Sequence, residues 1–103
     1  IFHERFKDLF DNIEIDKYEF RGQDYGELNY TGPHPTIDRF DVLNKTSLTI
    51  VTYAHYVDDP SRQLMFIMNA SQKTGNAYSV YFKNGKEVHF DLMPADIRVL
   101  ELH

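Results

Sequence analysis

The chain has 103 residues, 42% of them apolar and 26% charged, with a formal net charge of −5 and no cysteine. That length and composition fit one globular domain spanning residues 1–103 with a single core. They exclude disulfides, thiolate catalysis and cysteine-based zinc sites, and no basic run supports general nucleic-acid binding. No apolar stretch is long enough to span a membrane. The lack of cysteine favours a reducing, cytoplasmic setting, with export left open because the first residue is not Met.

In chain order, the first segment predicts an amphipathic helix. Phe2, Phe6, Leu9, Phe10 and Ile13 form one stripe at helical spacing, and Asn12 is a stop. Residues 14–31 mix acids with aromatics. Within them 15–20 and 27–30 read as edge strands, and 31–36 as a proline-rich loop. Residues 37–43 fit either a short helix or a strand.

From Ser47 onward the pattern is β. Residues 47–57 alternate, with Leu48, Ile50, Ala54 and Tyr56 on one face and Thr49, Val51, Tyr53 and His55 on the other, more polar one. Asp58-Asp59-Pro60-Ser61 is a turn. Residues 64–68 are apolar on both faces, as in a central strand, and 69–76 form a polar loop. A break at 93–96 precedes a last strand over 97–102, with a short C-terminal helix opened by Pro94 as the alternative. The expected fold is therefore α+β: an N-terminal helix on a mostly antiparallel curved sheet, or open barrel, of four to six strands in a meander.

Asn84-Gly85 lies between two aromatic and β-branched runs and predicts a two-residue type I′ hairpin. Residues 78–85, then Val88 and residues 96–100, resemble the final hairpin of SH3-like barrels of the Tudor and KOW kind. The hairpin also resembles one in extracellular adhesion modules with a β-grasp fold. The match covers about a quarter of the chain and carries over no functional residue.

The two-residue turn pairs Phe82 with Glu87, Val80 with His89 and Tyr78 with Asp91. It expects Glu87, His89 and Asp91 on one face beside Tyr78, with Tyr81, Val88, Phe90 and Leu92 facing the core. If the strand bearing His55 lies nearby, His55 and His89 converge with a carboxylate. Such a cluster suits zinc or general acid–base chemistry. His34 and Asp38, in and just after the proline loop, form a second candidate, as metal ligands or a proton shuttle.

No nucleotide-binding loop, serine-hydrolase elbow or helix-borne zinc peptidase motif occurs, and no cofactor is implied. Tyr18, Tyr25 and Tyr30, set among Glu19, Asp24 and Glu27, suit a protein partner with a basic surface. The favoured expectation is a small acidic, non-enzymatic interaction module of inhibitor, immunity-type or regulatory kind. The alternative is a small metal-dependent or acid–base enzyme using the histidine–carboxylate cluster. A third reading is a subunit of a symmetric homo-oligomer. Asn29, Asn44 and Asn69 begin Asn-x-Ser/Thr strings, which matter only in a eukaryotic secretory pathway.

Overall fold

A computed structural model of the chain describes residues 11–21 and 34–102, the first segment with side chains as far as Lys17. These residues form seven strands: β1 (Ile13–Arg21), β2 (Ile37–Val42), β3 (Thr49–Tyr56), β4 (Gln63–Asn69), β5 (Asn76–Phe82), β6 (Glu87–Leu92) and β7 (Ile97–Leu102). Two antiparallel sheets result, in the orders β1-β3-β4-β7 and β2-β5-β6.

This corrects the α+β expectation. The described residues contain no helix, and the seven strands are split between two sheets instead of following one meander. Ile13, the last position of the helical stripe, opens β1 and pairs with Tyr56. The rest of the stripe that precedes residue 11 lies outside the described residues, as does the strand expected at 27–30. Of residues 37–43, all but Leu43 form strand β2, because Phe40 and Val42 pack against the core from a sheet.

The sheets face each other across one core. Val51, Tyr53, Met65, Ile67, Leu100 and Leu102 come from the larger sheet, and Ile37, Tyr78, Val80, Phe82 and Leu92 from the smaller. The Tyr78 hydroxyl crosses between them to Thr49 Oγ1, 3.1 Å away. Burial raises the Tyr78 phenol above its ordinary value, since ionisation there would strand a charge away from water. The outer face of the larger sheet is also apolar and buried, through Ala54, Leu64, Phe66 and Ile97. β4 is thus covered on both sides, as its unbroken apolar run implies.

The hairpin turns at the expected place with a different register. Gly85 N–H donates to Phe82 O at 3.0 Å and Phe82 N–H to Lys86 O at 2.8 Å, leaving a three-residue loop. Of the loop residues only Gly85 has positive φ, at 92°. Asn84 instead caps the turn, its Oδ1 accepting Lys86 N–H at 2.9 Å. This is a tight turn closed by a glycine bulge, in place of type I′. The hairpin resemblance therefore extends to a strand, a sharp turn and a strand.

The core pattern selects that register. Tyr81 pairs with Glu87, Val80 with Val88, Ser79 with His89 and Tyr78 with Phe90. Val80, Tyr78, Val88 and Phe90 then share the inner face. A two-residue turn would have placed Glu87 and His89 opposite Phe82 and Val80, because a slip of one residue moves a whole strand's side chains to the other face.

Candidate functional site on the open sheet face

Among the described residues, none covers the outer face of β2-β5-β6, where Arg39, Asp41, Glu87, His89 and Asp91 are exposed. Its bulge between Ile37 and Arg39 resets β2 so that Arg39 pairs with Tyr81 and Asp41 with Ser79. Combined with the β5–β6 register, this gives two rows across the sheet: Arg39–Tyr81–Glu87 and Asp41–Ser79–His89. Ala77 and Asp91 continue the face at one end.

These rows are linked. The Arg39 guanidinium lies 4.1 Å from the centre of the Tyr81 ring, and its Nε donates to Asp41 Oδ2 at 2.9 Å. Its contact with Tyr81 first, then the Asp41 charge, raises the guanidinium above its already high value. The His89 ring meets Tyr81 edge-on at 5.6 Å. His89 Nε2 is 3.0 Å from Glu87 Oε1, and Nδ1 is 2.8 Å from Ser79 Oγ. A carboxylate at Glu87 can only accept from Nε2, and in the neutral ring Nδ1 is then the acceptor for the Ser79 hydroxyl.

A serine, a histidine and a carboxylate in series invite comparison with a nucleophilic triad. The surroundings argue otherwise. Both the His89 and Glu87 side chains are more than half exposed, so water competes for each hydrogen bond. β5 is the central strand, paired with β2 on one side and β6 on the other. A tetrahedral oxyanion formed on Ser79 would find no pair of free backbone donors on that strand.

Glu87, His89 and Asp91 share the outer face, as the sequence implies. The companions differ: Tyr78 and Val80 are buried, whereas Tyr81, expected inside, stands beside His89. Ser79, Arg39 and Asp41 are the residues sequence reasoning missed. Ser79 was reachable from a core-consistent register. Nothing local announces that β2 pairs with β5, more than thirty positions away.

His55 does not join His89. It lies on the side of β3 that faces the other sheet, beyond Tyr53, and is held by β1: Nδ1 to Asp16 Oδ1 at 2.8 Å and Nε2 to Glu14 Oε2 at 3.4 Å. The bulge between Ile15 and Lys17 is what brings Asp16 to this position. His34 is buried, stacked on Tyr53 at 5.6 Å, with Nε2 donating to Gln63 Oε1 at 2.8 Å. Its Nδ1 accepts Thr36 N–H at 3.2 Å, so both ring nitrogens are occupied. Burial lowers the His34 pKa, with Lys17 adding to the effect and the Gln63 hydrogen bond opposing it. Asp38 is exposed at the β2 bulge, while the hydrogen bonds of His34 go to Gln63 and Thr36. Among the described residues no three histidine, aspartate or glutamate side chains gather as a metal site.

Tyr18 and Glu19 pair through β1 with Thr52 and Val51, and their side chains lie outside what is described. Tyr25, Tyr30, Asp24 and Glu27 also lie outside the described residues. Of the glycosylation strings, Asn69 is wholly buried, Asn44 is exposed, and Asn29 lies outside the described residues. Among the described residues no helix is long and apolar enough to cross a membrane.

No protein-family model, curated protein or solved structure matches this chain.

Proposed function

We propose that the chain is a small, non-enzymatic interaction module that holds another protein against the open face of β2-β5-β6, and that the partner's surface is basic. The observation that carries this reading is the make-up of that face: an accessible Tyr81 and His89 among Asp41, Glu87 and Asp91, with Arg39 already engaged by Asp41 and Tyr81. Tyrosine supplies contact area at low entropic cost, and clustered carboxylates steer a cationic partner and fix its orientation. The net charge of −5 acts in the same direction over longer range. An inhibitor, immunity-type or regulatory role fits such a module.

Titrating the ¹⁵N-labelled chain at low ionic strength with a peptide alternating lysine and serine tests the reading. The amides of Tyr81, Glu87 and His89 should shift, and the shifts should shrink as salt is added. Shifts confined to the far side of the sandwich, or none, contradict it. The acid–base alternative rests on the Ser79–His89–Glu87 hydrogen bonds. Under the interaction reading, p-nitrophenyl acetate should be hydrolysed equally slowly by the native chain and by Ser79→Ala.

A further inference from the structure

At the Asp91 end of the open face lies a groove of about 460 Å³, whose lining includes Leu43, Ala77, Asp91, Leu92, Met93 and Pro94. Leu43 is 81% exposed and Met93 73% exposed, so two of the four most exposed large apolar side chains among the described residues flank one groove. Isolated exposed apolar residues need no explanation; here two of them stand beside one concavity and give it an apolar wall that a bound side chain could cover.

The groove is also held in shape before anything enters it. On one wall, buried Asn76 accepts Asn44 N–H at 2.9 Å through Oδ1 and donates to Asn44 O at 3.0 Å through Nδ2, fixing the chain just after Leu43. On the other, buried Asn69 Nδ2 donates to Leu92 O at 3.1 Å and to Thr74 O at 2.9 Å. At Gly75 an added Cβ would stand 3.3 Å from Leu92 O, so the two backbones meet closely behind the groove. Fixed walls reduce the ordering cost of binding and favour an anchor residue with a polar rim.

We infer that this groove takes a large apolar side chain of the partner, leucine- or phenylalanine-like, carried on an extended segment whose neighbouring residues are lysine or arginine. The inference deepens the interaction reading above and rests on it. Charge complementarity selects the occupant. Asp91 lines the groove itself and makes no ion pair among the described residues, and Asp41, Glu87 and Asp91 share the adjoining face. An acidic apolar segment would bring like charges together at the rim.

The test compares two peptides on the ¹⁵N-labelled full chain, one alternating lysine with leucine and phenylalanine, the other alternating lysine with serine. The apolar peptide should bind roughly tenfold tighter, as expected for one well-seated anchor. It should also shift the amides of Gly75, Ala77 and Met93. The double variant Leu43→Ser with Met93→Ser changes only exposed positions, so its fold should persist, and it should reduce the apolar peptide to the affinity of the serine one. Equal affinity of the two peptides for the native chain, with the open face still shifting, overturns the groove proposal alone. Absence of shifts on the face with either peptide overturns the interaction reading with it. Concentration-dependent self-association abolished by Leu43→Ser overturns the proposed occupant, because a second copy of the chain would then fill the groove.

Discussion

Asn69 illustrates how one buried polar side chain can organise several loops. Its Nδ2 donates to carbonyls of Thr74 and Leu92, and its Oδ1 accepts Ser71 N–H at 3.1 Å. Its backbone ties to the β6–β7 turn through Asn69 N–H to Asp96 O and Ala95 N–H to Asn69 O. Removing the carboxamide leaves buried carbonyls unpaired, each at a cost of about 1–3 kcal/mol. Asn69→Ala should therefore lose about 2–4 kcal/mol in urea unfolding with an unchanged m-value. His34 contributes a pH dependence. Burial holds its pKa below the ordinary 6.5, so below that pH the unfolded chain takes up the proton first. The stability His34 provides is complete above 6.5 and declines as pH falls toward its folded value. Replacing His34 by Gln should flatten the fall in urea midpoint as the pH drops below the ordinary histidine value of 6.5, and an unchanged slope would deny the buried neutral ring.

At the scale of elements, β3 to β7 were legible because period-two alternation and doubly apolar runs are local signals. Tyr53, Leu64, Phe66, Tyr78 and Leu92 carry them in plain order. The turn after Phe82 was legible in position and misread in type. Asn-Gly alone suggests two residues at positive φ, but the inward set Tyr78, Val80, Val88 and Phe90 is compatible only with the three-residue loop. Two turns store measurable backbone preferences. Gly85 sits at φ 92° with nothing near a would-be Cβ, so Gly85→Ala should cost about 1 kcal/mol from backbone strain alone. Ala95 sits at φ 64°, and Ala95→Gly should gain about 0.5–1 kcal/mol by removing that strain. Thermal unfolding of both variants checks the pair, whose effects should have opposite signs.

For the whole molecule, the partition into two sheets was not legible. β4 and β5 are consecutive in the chain yet lie in different sheets, and β2 finds β5 across two intervening strands. Those pairings rest on burying two inner faces against each other, a non-local requirement that single-strand patterns do not encode. The same partition separates His55 from His89 and assembles Arg39, Asp41, Ser79, Tyr81 and Glu87 around His89. The partner surface proposed for this chain is thus a product of topology, with the hairpin supplying only two of its three columns. Phe82–Lys86 is a hydrogen-bonded pair, and alternation along an antiparallel ladder makes Ser79–His89 a non-hydrogen-bonded one with close α-protons. A two-dimensional NOE spectrum of the folded chain should therefore show a strong α-proton contact between Ser79 and His89, together with contacts placing Asp41 on the other side of Ser79. An α-proton contact between Val80 and His89, or β5 found beside β4, would dissolve the proposed face.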